Sequence, residues 1–311
     1  MITPSMTAGN VSGLLESLSR QTAPFEMIVV DNGSVGREVT HACTDFEFAR
    51  AIRLEQNAGF SRAVNIASGE ASGDVIVLVN DDAICEPEFL AEIAGAINPG
   101  RNVMMAAGVM RDVRAPGSIE TAGIEIDRAL LAFDYLNGES IAVLDGELAP
   151  PIGPSGAAAA YWKEAFVAVG GFDERIFAYW EDVDLALRLR TQGFRCALAT
   201  GALGTHAHSA TLGSGSSRKN YLMGFGRGYV LRKWGALRPR LLPGIVARDA
   251  VICAGQLAFD RNAAGIRGRV AGLRAAVDSE PYPSRALACS PKRGVGASFM
   301  RRARRRLRVR Q

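Results

Sequence analysis

Five consecutive apolar residues, Val75-Ile76-Val77-Leu78-Val79, run directly into Asn80-Asp81-Asp82. A run of that length, mostly β-branched, reads as a strand buried on both faces. The two adjacent carboxylates fall where this strand leaves its sheet, and open α/β sheets bind ligands at the carboxyl ends of their strands. A carboxylate pair there suits a divalent cation and the diphosphate it holds, because hard cations prefer oxygen ligands. A plain polar turn accounts for the same three residues, since Asn and Asp are common turn formers.

The neighbouring sequence builds the sheet around that strand. Ile2-Thr3-Pro4 reads as the end of a short first strand, and Asn10 as the cap of a helix presenting Leu14, Leu15 and Leu18 on one face. Met27-Ile28-Val29-Val30 is a second buried strand ending in the turn Asp31-Asn32-Gly33-Ser34, and Ala51–Leu54 is a weaker strand. Residues 59–68 read as a helix, Pro87 opens another, and Val103–Val109 closes the series. Strands alternating with helices predict a mostly parallel central sheet flanked by helices. Residues 111–150 read as an irregular or hairpin insertion. A helix is expected from about Asp182 to Gln192, stopped at Gly193. The domain reading is 1–212 for the α/β domain, 213–278 for a helical extension and 279–311 for a disordered basic tail.

The chain has 311 residues, 48% of them hydrophobic, enough for a sizeable core. Its five cysteines are scattered, with no CxxC and no zinc spacing, and read as reduced thiols of a cytoplasmic protein. No secretory signal and no apolar run of about 18–20 residues is expected to target or span a membrane. Nine of the 36 basic residues lie in 292–310, where there is no acid, so residues 1–291 carry a net charge of −5.

Four segments occur in order: Val29-Val30-Asp31-Asn32-Gly33-Ser34; Asn57 to Asn65; Leu78-Val79-Asn80-Asp81-Asp82-Ala83; and Gly170-Gly171-Phe172-Asp173-Glu174 leading to Trp180-Glu181-Asp182-Val183-Asp184-Leu185. Together they resemble the family 2 glycosyltransferases, inverting enzymes of the GT-A fold, over residues 2–235, and most closely the bacterial rhamnosyltransferase-like branch. The resemblance implies that Asp31 bonds the nucleotide base, with Thr3 and Pro4 at the end of the first strand cradling it and Asn57 also on the donor side. It implies that Asp81 faces the ribose, that Asp82 reaches a Mg²⁺ or Mn²⁺, and that His206 adds a further metal ligand. His208 stands where a glycine is usual in the family, which leaves the choice between the two histidines open. Glu181 and Asp182 resemble the catalytic acidic pair, with Asp182 the base that takes the acceptor hydroxyl proton. On local grounds alone, carboxylates in a first helical turn are also what the macrodipole favours. Asp184, two residues on, is expected to face elsewhere and pair with Arg188.

Other assignments rest on residue chemistry. The helix start after Gly59, with Arg62, is placed to meet a diphosphate. Gly156 lets an acceptor sugar approach the backbone. Trp162 and Trp180 either stack on a sugar ring or pack in the core.

The implied activity moves a sugar, with rhamnose on dTDP as the first expectation and UDP-sugars as the alternative, to a glycan or lipid-linked sugar in cell-envelope polysaccharide synthesis. The seven arginines of 299–310 then dock on anionic lipid headgroups, giving a cytoplasmic enzyme peripheral to the inner face of the membrane. Nucleic acid is the weaker partner, because no aromatic residue beyond Phe299 interleaves the tail's charges and no RNA- or DNA-binding motif precedes it. A sugar-1-phosphate nucleotidyltransferase is disfavoured, since residues 1–20 lack a GxGxR signature. The remaining rival is a catalytically inactive nucleotide-binding or scaffold protein.

Overall fold

The computed structural model describes residues 1–127, 129–206 and 215–277. In chain order the elements are β1 (Ile2–Ser5), α1 (Ala8–Leu18), β2 (Met27–Asn32), α2 (Glu38–Ala42), β3 (Ala49–Leu54), α3 (Phe60–Glu70), β4 (Val75–Val79), β5 (Ala83–Cys85) and α4 (Phe89–Gly95). They continue with β6 (Val103–Asp112), β7 (Ala115–Thr121), β8 (Ile124–Ile126), β9 (Ala132–Asp134), β10 (Ala158–Trp162), α5 (Lys163–Ala168), α6 (Glu181–Thr191), β11 (Arg195–His206), α7 (Ser217–Lys233), α8 (Leu242–Phe259) and α9 (Ala264–Ala275).

The main sheet has the order β3-β2-β1-β4-β10-β6-β11-β5. Its first four strands are parallel, as the alternating pattern predicts, and β6 and β11 form a second parallel pair. Between these groups β10 runs antiparallel to both neighbours, so the sheet is mixed where the sequence predicts it mostly parallel. The strand pleat sends successive side chains to opposite faces. Accordingly, Ile28, Val30, Ile76 and Leu78 join one core cluster, and Met27, Val29, Val77 and Val79 join the other. Both sides of the sheet are covered, which is why β2 and β4 read as unbroken apolar runs rather than as alternating ones.

Helices α1 and α8 differ from the sequence expectations, and the segment 111–150 meets the hairpin reading of it. Helix α1 starts at Ala8 with Thr7 as N-cap, and Asn10 lies inside its first turn. The segment 111–150 is built of hairpins: β7 folds back on β6, and β8 pairs with β9. Helix α8 is 18 residues long with a mean hydropathy of 1.3, long and apolar enough by length and composition to be a candidate span despite its two central charges.

Helix α7 is tied to the α/β body by buried polar contacts. Its Tyr229 hydroxyl and the Lys233 ammonium donate to Asp173 (2.7 and 2.8 Å), and Lys233 also reaches Asp184 (2.9 Å). Asp184 further accepts from Arg188 Nε (2.8 Å) and from Trp234 Nε1 (3.0 Å). The expected Asp184–Arg188 pair is thus present, as one edge of a buried network joining α6 to α7. The boundary expected at 212 falls outside the described residues, as do His208 and the tail.

Candidate active site

A pocket of about 520 Å³ opens at the carboxyl ends of β1 and β4. Pro4, Asp81, Asp82, Gly156, Trp180, Glu181, Asp182 and His206 line it, so most of the predicted site residues converge there. Three strand pairings assemble its floor. Strand β11 runs antiparallel to β5 with His206 opposite Ala83, which sets the imidazole beside Asp82. Strand β7 pairs with β6, which in turn pairs with β11 up to His206, and so brings Glu120 to the same ring. Ser5, at the end of β1, donates to Asp81 Oδ2 at 2.6 Å.

His206 is clamped between two carboxylates. Its Nε2 lies 3.0 Å from Asp82 Oδ1 and its Nδ1 3.0 Å from Glu120 Oε2, with the Asn80 amide 2.9 Å from Nε2. Burial lowers the basicity of the ring, but the hydrogen bonds to Asp82 and Glu120 outweigh it and hold the pKa up at about 10. Burial pushes the Asp81 carboxyl above its usual value, against the hydrogen bond from Ser5.

The donor set fits a divalent cation in part. A carboxylate and an imidazole whose second nitrogen is held by a further carboxylate is a recurring metal-binding arrangement. Asp82 and a deprotonated His206 would supply the donors, with Glu120 as the outer partner. Among the described residues no group of three or more His, Cys, Asp or Glu side chains is arranged to hold a metal ion by itself. That suits Mg²⁺ or Mn²⁺ held by one or two protein ligands together with substrate phosphates and water, rather than a closed protein cage.

The other wall is the start of α6. Tyr179 and Trp180 both adopt left-handed backbone angles, φ +68° and +79°. Two such non-glycine residues in succession store strain of order 1–3 kcal/mol each. The loop before them is held by α3: Phe60 N donates to Phe177 O at 2.7 Å and Ser61 Oγ to Ile176 O at 2.5 Å. Gly59 is required there, because at its φ of +85° a Cβ would lie 2.5 Å from that same Phe177 oxygen. The result aims Glu181 and Asp182 into the pocket. Asp182 accepts from Val183 N (2.8 Å) and, at 3.4 Å, from Gly156 N. Burial nonetheless raises its pKa to about 6. Glu181 is more deeply buried, and its Oε2 has no hydrogen-bond partner. Burial and then the Asp182 charge hold it well above the usual carboxylate range. One carboxyl is therefore kept neutral and the next poised to accept a proton near neutral pH, a division of roles set by environment.

Four predicted residues stand elsewhere. Arg62 does not line the pocket: its guanidinium is 62% exposed and lies 3.9 Å from Glu174. Position three of a helix offers its backbone N–H toward the terminus while its side chain turns outward, so the helix-start argument does not extend to the side chain. Asn57 braces the turn before α3, accepting from Gly59 N at 2.9 Å and donating to Met6 Sδ. Asp31 is fully buried beside the pocket rather than in it, accepting from Ser34 N (3.0 Å), Thr40 Oγ1 (3.1 Å) and Arg53 Nη1 (2.5 Å). Burial raises its pKa, but these hydrogen bonds and the Arg53 charge outweigh it, and the net shift is downward. Thr3 is buried in β1 with its hydroxyl unpartnered. Trp162, which is not in the lining, packs against the core. Trp180 lines the pocket and lies under the Arg227 guanidinium, 5.4 Å from its ring centroid.

Sequence reasoning missed Glu120, Asp134, Tyr179 and Lys219, all in the lining. Lys219 comes from α7 and its ammonium sits 5.6 Å from the Tyr179 ring centroid.

Comparison with known proteins bears on the family and the fold. Residues 7–121 match the family described as Glycosyl transferase family 2. An uncharacterized glycosyltransferase of Bacillus subtilis, YwdF, is 30% identical over 216 residues, covering 67% of this chain and 75% of the relative. The N-acetylglucosaminyl-diphospho-decaprenol L-rhamnosyltransferase of Mycobacterium tuberculosis is 30% identical over 58% of this chain and 66% of its own. The O-antigen biosynthesis protein RfbC of Myxococcus xanthus is 26% identical over 64% of this chain, which spans only 16% of that larger protein. Among solved structures, GalNAc-T7 with UDP, GalNAc and Mn²⁺ superposes with a TM-score of 0.59 at 13% identity, over 79% of this chain and 49% of the other. The Pyrobaculum calidifontis mannosyltransferase PcManGT, with GDP-Man and Mn²⁺, superposes with a TM-score of 0.54 at 18% identity, over 96% and 79%. Likeness at that identity speaks for the fold, and both are glycosyltransferases.

Proposed function

The chain belongs to glycosyl transferase family 2, and we propose that its pocket transfers a sugar, with inversion, from a nucleoside diphosphate donor to a carbohydrate hydroxyl. The observation that carries the residue roles is the placing of Asp182, at the strained start of α6, in one pocket with Asp81, Asp82 and His206. Asp182 takes the proton of the acceptor hydroxyl as its oxygen bonds to the anomeric carbon. The bond from that carbon to the diphosphate breaks, and the nucleoside diphosphate leaves with the electron pair. Glu181, kept neutral, lowers the charge that the acceptor side places near Asp182.

Glu181 apart, the lining carries five carboxylates, Asp81, Asp82, Glu120, Asp134 and Asp182, against His206 and Lys219. An anionic diphosphate is repelled by that balance unless a cation accompanies it. A divalent metal held by Asp82 and by a His206 that has given up a ring proton to make room for it would supply charge neutralisation for the departing diphosphate. Asp81 is assigned to the ribose. Asp31, fully buried and already accepting from Ser34, Thr40 and Arg53, shapes the end of β2 rather than touching the donor. A rhamnosyl donor and a lipid-linked sugar acceptor draw support from the name of the Mycobacterium relative, and cell-envelope glycan synthesis from that of the Myxococcus relative; dTDP as the carrier is our own assignment. An inactive nucleotide-binding scaffold accounts less well for the strain at Tyr179 and Trp180 and for the split acidities of Glu181 and Asp182.

The test is a thermal-shift panel of UDP, dTDP, GDP and CMP, each with and without Mn²⁺ or Mg²⁺. A ligand that binds only the folded state raises the melting temperature. A metal-dependent shift with dTDP or UDP is expected, and its loss in Asp82→Ala locates the cation. No shift with any nucleotide overturns the reading.

A further inference from the structure

Helix α8 is built with its charges inward and its apolar side chains outward. Arg248 Nε lies 3.0 Å from Asp127 Oδ2, and Asp249 Oδ1 lies 3.3 Å from both Arg227 Nε and Arg269 Nη2. The Arg248 and Asp249 side chains are only 16% and 15% exposed. The polar residue Gln256 also lies off the exposed face, and Ile245 is the helix's one buried side chain. Every exposed position of α8 is apolar, including Leu242 (42%), Val246 (57%), Val251 (56%), Leu257 (49%) and Phe259 (69%). An ordinary surface helix does the reverse. On α9, Ile266 and Val270 are exposed as well.

We propose that the outer face of α8 lies in the plane of an anionic phospholipid surface, sunk to the level where headgroups meet acyl chains. Charge complementarity selects this occupant. Arg238 and Arg240 precede the helix, and Arg261, Arg267 and Arg274 follow it, all exposed. The two acidic residues between 232 and 277 are both engaged inside the protein, Asp249 as above and Asp260 with the Asn220 amide at 2.9 Å. Nine further basic residues follow in 292–310. An apolar strip ringed by arginines is what a bilayer interface rewards, since the arginines reach phosphates while the strip meets hydrocarbon. A second copy of the chain fits worse, because it would bring two arginine-rimmed faces together. The chain's own tail is too basic to supply an apolar cover. Spanning the bilayer would draw Arg248 and Asp249 out of their ion pairs into hydrocarbon, so the helix lies on the membrane rather than through it.

The surface stands on these contacts alone, but its consequence rests on the proposed function. Helix α7 offers Arg227 to α8 and Lys219 and Met223 to the pocket. Docking of α8 therefore holds the pocket next to the bilayer, where the sugar of a lipid-linked acceptor is found.

The test uses the full chain with sucrose-loaded vesicles of phosphatidylcholine, alone or with about a quarter phosphatidylglycerol. The double variant Val246→Glu with Leu257→Glu charges the outer face without touching an inward contact. Val35→Glu, at a position 98% exposed outside the C-terminal helices, is the control. The wild type and the control are expected to pellet with the phosphatidylglycerol vesicles, and the double variant to lose at least tenfold in partition. All three should keep the same metal-dependent nucleotide shift, so loss of vesicle binding is separable from failure of the transferase reading. No pelleting of the wild type, or equal pelleting of the double variant, overturns the proposal. A wild-type dimer that the double variant turns into a monomer, with no vesicle binding by either, replaces it with a second copy. Resistance of the bound protein to alkaline carbonate extraction replaces it with a span.

Discussion

Asp182→Asn moves two observables in opposite directions, which makes it a demanding test of the base. Burial pushes the Asp182 carboxyl from the ordinary 3.8 up to about 6, against the hydrogen bonds from Val183 and Gly156. A general base works only when ionised. With a midpoint near 6 about nine tenths of the enzyme is competent at pH 7 and about one tenth at pH 5, so kcat/KM falls roughly tenfold between them. The limb belongs to the Glu181–Asp182 pair, in which burial and the Asp182 charge push the Glu181 carboxyl well above the usual carboxylate range. The Asn variant loses about 10²–10⁴ in rate and shows no such limb. Stability runs the other way. A folded-state pKa above the unfolded one means that the folded protein binds the proton more tightly, so ionisation costs folding free energy as pH rises from about 4 to about 6. A rise of that size in the carboxyl's pKa is worth at most about 3 kcal/mol, and partial exposure in the pocket reduces that. Asn stays neutral, so the variant melts higher than the wild type at pH 7.5, and the gap closes toward pH 4. Initial rates of nucleoside diphosphate release from pH 5 to 8, with melts of both proteins over pH 4 to 8, give both readouts. Near-wild-type turnover by the variant, or a wild-type limb centred near 4, refutes the base. A variant that melts lower than the wild type at pH 7.5 refutes the burial argument beneath it.

Three further substitutions probe the scaffold and the correction to the donor side. Asp184→Ala leaves Arg188 and Lys233 short of their shared buried carboxylate and Trp234 Nε1 without an acceptor, at a cost of about 3–5 kcal/mol that a urea melt reads directly. Gly171→Ala places a Cβ 2.5 Å from Asn65 Oδ1 at a φ of +64°, breaking the clasp in which Asn65 holds both Phe172 N and Phe172 O. A loss of about 1–3 kcal/mol is expected in the same assay, with little change in nucleotide affinity. Arg62→Ala removes an exposed guanidinium with one distant partner, and should change stability by no more than about 0.5 kcal/mol and leave the metal-dependent nucleotide shift intact.

What is legible in the sequence follows from where the signal is local. Val75–Val79 and Met27–Val30 announce themselves because a strand covered on both faces must be apolar throughout. Asp184 is separable from Asp182 because two residues on a helix turn the side chain away, toward Arg188 at i+4. Strand β10 is hidden because Ala158, Ala159 and Ala160 carry no β preference, and their small size is what the centre of the sheet uses. The partners that position His206 are hidden for another reason: Glu120 lies 86 residues from it and Asp82 further still, and both reach it only through the pairing of β11 with β6 and β5.

For helix α8 the sequence shows an apolar segment, 241–259, whose Arg248 and Asp249 argue against a span, but not which way its apolar face points. Periodicity identifies one apolar face on a helix, but a 3.6-residue repeat is the same whether that face points to the core or to a membrane. The direction is set by the charged residues between the apolar ones, and by whether they find partners inside. Arg248 and Asp249 find Asp127, Arg227 and Arg269, from three separate parts of the chain. Once those pairs form, turning the helix to bury its apolar face would strand two charges, and a buried charge that loses its partner costs about 3–5 kcal/mol. The fold thus holds the apolar strip outward by electrostatics, and a lipid surface is the solvent in which that strip is satisfied.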